Sequence, residues 1–187
     1  MKEFIDDLRE VNALILDTET TGLDNTAEIL QIGIVSLEGE TLFNSTIKPA
    51  KARSWNEAMR VHGIAWSDVK DSPTIGQAAE QLKQIMNGRP VAIYNAEFDT
   101  RILWQSIEAD GAATPYRWLR DQDWECVMEA YAEYWGHWNS RFRSYRWQSL
   151  TDACRQQGVK VVDAHDALGD AKLTAALIRR IEKKLQG

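Results

Sequence analysis

Apolar positions along the chain form two patterns, short unbroken runs and stripes with a period of three to four. Runs at 13–17, 28–37 and 91–94 are too short for helices and read as buried strands. A third strand over 41–47 follows the Glu38-Gly39-Glu40 turn, so the first three strands form a hairpin or meander. Residues 1–12 read as a short helical or frayed lead-in. Helices are predicted over 55–61, over 74–86 just after Pro73, and from Asn95 as N-cap to about 109. Further helices are predicted over 126–135, over 147–157 with Gly158 as its stop, and over 168–185. In the last, Leu173, Leu177, Ile181 and Leu185 recur every four residues and are expected to mark the buried face. Residues 136–145, polar and aromatic, read as a loop. Three strands, a helix, a strand, a helix and then helices imply an α/β domain with a mixed sheet covered by helices.

Length and composition narrow this to one soluble domain. The 187 residues suit a single core, with 44% hydrophobic and 27% charged residues, and no repeat or linker divides 1–187. No apolar run approaches the roughly 18 residues of a membrane span. The N-terminus carries acids where a signal peptide needs an apolar run, so a cytoplasmic protein without a membrane partner is expected. Cys126 and Cys154 are too few and too far apart for a disulfide framework or a Cys-x-x-Cys site, and read as reduced, partly buried thiols. A net charge of −6 argues against non-specific coating of nucleic acid, which needs many cations on phosphates. It leaves room for an enzyme with a carboxylate-rich site and one local basic strip.

Carboxylates cluster at three strand-to-helix junctions. In Asp17-Thr18-Glu19-Thr20-Thr21-Gly22-Leu23, residues two apart on a strand share a side, so Asp17 and Glu19 sit together where α/β sheets bind ligands. Gly22 permits close backbone approach to a ligand. Taken alone, the segment is equally an acidic surface turn. Tyr94-Asn95-Ala96-Glu97-Phe98-Asp99 places Asp99 in a first helical turn, where the helix dipole alone accounts for an acid. His165-Asp166-Ala167-Leu168-Gly169-Asp170 puts His165 before the last helix and Asp170 in its opening turns; an isolated histidine there is ordinarily a surface one. The combination carries more than its parts. Four acids near one point repel unless cations neutralise them, and hard Mg²⁺ or Mn²⁺ ions prefer such oxygens. A pair of ions fits phosphodiester hydrolysis, one helping to generate the attacking hydroxide and one stabilising the leaving 3′ oxygen. His165 suits a general base beside them.

These three motifs, in this order and at these separations, resemble those of the DEDDh exonucleases, the DnaQ-like branch of the ribonuclease H-like superfamily. His62-Gly63-Ile64 resembles a further segment common in them. The likeness runs from about 13 to 177. It implies a ribonuclease H-like mixed sheet of about five strands, the first three antiparallel, flanked by helices. It implies two Mg²⁺ or Mn²⁺ ions on Asp17, Glu19, Asp99 and Asp170, with Asp17 bridging and Asp99 acting partly through water, His165 as base, and no organic cofactor. By similarity the backbone at Thr20, Thr21 and Gly22 receives the terminal nucleotide, Leu23 wedges against its base or else belongs to the core, and His62 and Asn95 lie near substrate. Tyr94 departs from the pattern, since many relatives have His there. The expected activity is 3′→5′ removal of nucleoside 5′-monophosphates, with single-stranded DNA favoured. An RNA-trimming exoribonuclease is the alternative, and a non-catalytic 3′-end-binding subunit the reading from another class. The chain stops soon after its last helix, which favours a stand-alone enzyme.

One stretch falls outside the motifs. Over 138–147, Arg141, Arg143 and Arg146 alternate with Phe142, Tyr145 and Trp147, the densest basic and aromatic segment of an acidic chain. Single strands are held by cations on phosphates and rings under bases. Arg141 and Arg143 are expected to contact substrate, and Phe142 and Trp147 to fill the core beneath a solvated loop.

Overall fold

A computed structural model describes residues 1–111, 116–161 and 166–187. Strand β1 (Leu14–Thr20) pairs antiparallel with β2 (Ile29–Ser36), and β2 with β3 (Thr41–Thr46). On its other side β1 runs parallel to β4 (Val91–Ile93), and β4 to β5 (Trp124–Cys126). The order β3-β2-β1-β4-β5 makes one mixed sheet with β1 in the middle, the ribonuclease H-like arrangement expected.

Alternation along β1 sends residues into two cores. Leu14 and Leu16 join one cluster with Ala78 and Leu82 of α4 (Ile75–Met86) and Ile102, Leu103 and Ile107 of α5 (Ala96–Ala109). Ala13 and Ile15 face the other, with Ile5 and Leu8 of α1 (Lys2–Glu10) and Tyr131 of α6 (Val127–Trp135). Ala153 and Cys154 of α7 (Leu150–Gln157) and Leu177, Ile178 and Ile181 of α8 (Ala167–Gln186) complete it. Each fully buried Leu or Ile contributes roughly 1.5–3 kcal/mol, so these clusters fix where the ends of β1 and the start of α8 lie. A third, small cluster holds Trp55 at the entry of α2 (Asn56–His62) against Leu30 and Val69 of α3 (Trp66–Val69).

Several expectations are corrected. The fifth strand lies at Trp124–Cys126, just before the expected helix, which forms over Val127–Trp135; the strand's residues are all half-buried, so no apolar run announces it. The expected loop over 136–145 contains a hairpin, β6 (Trp138–Asn139) with β7 (Ser144–Tyr145). The helix expected from 147 starts at Leu150, because Ser149 caps it by accepting the Asp152 N–H at 3.0 Å. In α8 the buried stripe is Ala171, Thr174, Ala175, Leu177, Ile178 and Ile181, while Leu185 is 38% exposed past the edge of the sheet. Cys126 and Cys154 are both free, half-buried and buried. Among the described residues no helix is long and apolar enough to cross a membrane.

Candidate active site

The carboxyl end of β1 builds two walls at once. Asp17 and Glu19 share the sheet face of Ile15, under α8, and with Asp170 they offer oxygens all within 4.8 Å of one another. Thr18 points to the opposite face, where its hydroxyl donates to the carboxylate of Asp99 on α5 at 2.6 Å. Asp99, 5% exposed, is thus tied to the strand from the far side, outside the tight three-acid group.

Two features bring α8 to this point. Gly33 lies directly across the ladder from Asp17. A Cβ there would stand 2.6 Å from the carbonyl of Ala167 and from the Cα of Leu168, so only glycine lets the start of α8 lie on β2. Asp166 then caps the helix, accepting the Gly169 N–H at 3.0 Å, and Gln31 receives the Ala167 N–H at 3.2 Å. Asp170 follows in the first turn.

Burial drives the acids toward their neutral forms, and their neighbours add to it. Asp17 is pushed well above its ordinary value by burial and then by Asp99, Asp170, Glu19 and Asp166. Glu19 is pushed up to about 7 by burial, Asp170, Asp166 and Asp99. Asp99 is pushed up to about 7 by burial, against the Thr18 hydrogen bond that favours its charge. A cluster of hard carboxylate oxygens that raise one another's pKa has the donor chemistry of a divalent-cation site.

Beside the acids opens a cleft of about 800 Å³, lined among others by Glu19, Thr20, Thr21, Gly22, Leu23 and His62. The Thr20 hydroxyl donates to the Gly22 carbonyl at 2.8 Å and holds the turn, and a Cβ on Gly22 would meet nothing within 4 Å. Leu23 is 78% exposed, which removes it from the core. His62 accepts the Ile64 N–H on Nδ1 at 3.0 Å, so its Nε2–H donates to the Thr20 carbonyl at 3.2 Å. Burial lowers its pKa, against the Thr20 contact, and the ring ties its own loop after α2 to the turn at Thr20. Buried Glu28 ties the two sides of the cleft together. Its backbone pairs with Thr21, and its carboxylate accepts the N–H groups of Ala50, Lys51 and Ala52, at 2.6 Å for Ala50 and Ala52 and 3.0 Å for Lys51.

The structure places other expected residues elsewhere. Asn95 occupies the N-cap position of α5 without a side-chain capping bond, and does not line the cleft. Arg141 and Arg143 stand on the β6–β7 hairpin. His165 lies outside the described residues. Trp55 and Phe98, which line the cleft, carry no signal in sequence that separates them from core aromatics.

Comparison with known proteins gives a consistent setting. A family model described as exonuclease, RNase_T, matches residues 14–178. The uncharacterized exonuclease CP81 of Escherichia phage 186 is 34% identical over 176 residues, 93% of this chain and 90% of that protein. The DNA polymerase III epsilon subunit of Rickettsia conorii is 35% identical over 102 residues, 51% of this chain; the match spans 43% of that protein's length. Exonuclease X, solved in complex with 5′ overhanging duplex DNA, superposes with a TM-score of 0.65 at 24% identity, over 91% of this chain and 92% of its own.

Proposed function

The chain belongs to the RNase_T exonuclease family of DnaQ-like 3′→5′ exonucleases, and from that premise we propose that it removes nucleotides from the 3′ ends of DNA with two divalent cations. The observation that carries this reading is the meeting of Asp17, Glu19 and Asp170 within 4.8 Å at the mouth of the cleft. Asp99 completes the set from α5. These carboxylates would hold the cations, which when bound would supply charge neutralisation, an acidified water and stabilisation of the departing 3′ oxygen. The protein's own groups do the rest. The backbone of Thr20 to Gly22 receives the terminal nucleotide, held in shape by His62. Leu23 stands out from the turn against the terminal base. The sequence relation to epsilon subunits supports DNA as substrate.

The test is degradation of end-labelled, matched DNA and RNA oligomers, single- and double-stranded, with Mg²⁺, Mn²⁺ or chelator. The expected result is stepwise shortening of DNA from the 3′ end, releasing 5′-monophosphates and stopped by chelator. Binding without shortening in either metal would leave a 3′-end-binding protein, and faster loss of RNA would overturn the DNA preference.

His165, five residues before Asp170, is the proposed base that takes the proton of the attacking water. His165→Ala should slow cleavage by about 10²-fold or more. In the wild type the rate should rise with pH through the histidine's titration, and that step should vanish in the variant. A variant keeping the wild-type profile would move the base to another group.

A further inference from the structure

The hairpin after α6 is built unlike the rest of the surface. The chain leaves α6 at Gly136 and pairs Trp138–Asn139 with Ser144–Tyr145; below them the Arg146 N–H donates to the His137 carbonyl at 2.9 Å. Trp138 and Tyr145 meet edge to face at 5.1 Å and stiffen it. The rings expected to fill the core do not. Phe142 is 69% and Trp147 62% exposed. Residues 137–148 hold three arginines and no acid in a chain of net charge −6, and among the described residues no acid forms an ion pair with them. Rings this exposed, set among arginines without an ion-pair partner among the described residues, fit a polyanion that brings its own flat apolar faces.

Two clefts of about 390 Å³ each flank the hairpin, and charge distinguishes them. One is walled by Glu129 and Glu133 together with Arg143, and shares Tyr145 and Trp147 with the other. The other has Phe142, Tyr145, Arg146 and Trp147 and no acid. Arg141 lies over the Phe142 ring at 5.6 Å. Phosphates are repelled from the first cleft and attracted to the second, so Arg146 rather than Arg143 belongs to the binding face.

This face is tied to the carboxylate end of the sheet. The parallel register pairs Leu16 with Ile93, so the next residues along, Asp17 and Tyr94, stand side by side, and both belong to the face beneath α8. The Tyr94 hydroxyl donates to the carbonyl of Gln148 at 2.9 Å, next to Trp147. Tyr94, the departure from the family pattern, is thereby the bolt between the metal-site strand and the foot of the hairpin.

We propose that the Phe142, Arg146 and Trp147 face takes an unpaired stretch of the same nucleic acid strand whose 3′ end enters the cleft, stacking bases on the two rings and setting phosphates against Arg146 and Arg141. This rests on the exonuclease reading, so its test does not use turnover. Binding of labelled dT oligomers from dT2 to dT16 is followed by fluorescence anisotropy in chelator, across a salt series. Phe142→Ala with Trp147→Ala should weaken dT16 binding roughly ten-fold or more, with the loss growing along the length series. Arg146→Ala should flatten the dependence of log Kd on log salt by about 0.7, one single-strand phosphate contact, and should cost more affinity than Arg143→Ala. Because these side chains are exposed, melting temperatures near wild type would certify the fold. Wild-type affinity and salt slope in both the ring and the Arg146 variants would overturn the proposal. Equal loss on a blunt duplex would overturn base stacking as its basis. A wild-type protein that binds dT16 but leaves it intact with Mg²⁺ would instead sink the exonuclease reading and spare the hairpin.

Discussion

Asp17→Asn should remove nearly all turnover and at the same time raise the melting temperature of the metal-free protein. Asp17 feels the charges of Asp99, Asp170, Glu19 and Asp166. Losing a supporting partner of a metal ligand costs about 10–100-fold, and losing this ligand should cost more. The stability gain follows from the direction of the shifts. A carboxyl whose pKa is higher in the fold than in the unfolded chain binds more protons when folded. Its contribution therefore favours the native state at low pH and is lost as pH rises. Glu19 and Asp99 move from ordinary values of 4.5 and 3.8 to about 7. Metal-free wild type should accordingly lose stability as pH climbs from about 4 through about 7. Asp17→Asn takes away a buried carboxyl that the fold holds far from its ordinary charge state, so it should melt above wild type near neutral pH, by roughly 2–4 °C for each kcal/mol relieved. Asp170→Asn should behave alike in activity. The measurements are melting curves in chelator from pH 4 to 8 and cleavage rates with Mg²⁺. A fully active Asp17→Asn, or one that melts below wild type at neutral pH, would remove the case for a metal-demanding cluster.

Gly33→Ala should be among the most damaging single changes that touch no charged group. The added methyl would sit 2.6 Å from the backbone of Ala167 and Leu168, and backbone cannot swing aside as a long side chain does. Overpacking costs typically 1–3 kcal/mol, and with backbone on both sides about 3 kcal/mol is expected. That lowers the melting temperature by roughly 6–12 °C. The relief available is to lift the start of α8, which carries Asp170 away from Asp17 and Glu19. Cleavage measured well below the melting point should therefore fall along with stability. Gly22→Ala is the contrast: its methyl would enter open space, and its melting curve should match wild type. If Gly33→Ala melted like wild type and cleaved normally, the close approach of α8 would not be what places Asp170.

Legibility in the sequence followed the strength of local patterning. The strands β1, β2 and β4 carry apolar runs, and the paired acids of β1 follow from a period of two, so the middle of the sheet and two of the clustered acids could be read directly. β5 and the β6–β7 hairpin could not, because short edge or exposed strands bury too little to impose alternation. Phe142 and Trp147 were misplaced for a related reason. Composition assigns a large ring to the core by default, and only the fold reveals that these two stand exposed on a hairpin. The tie between Thr18 and Asp99 spans 81 positions and was invisible as well. So was the role of Gly33, which looks like any strand glycine until α8 is laid against it.

The alternation of β1 imposes a parity on this chain. Asp17 and Glu19 serve one compartment and Thr18 the other, so the three residues are read in phase like teeth on two sides of a key. A strand has no half-steps. Inserting one residue after Asp17 would turn Glu19 toward α5 and a threonine toward α8, removing an acid from the cluster and a hydroxyl from Asp99 in a single event. The spacing of this acidic pair is thus locked by geometry independently of the chemistry it serves. Drift in the length of the chain must be absorbed elsewhere, in the loops that join the strands.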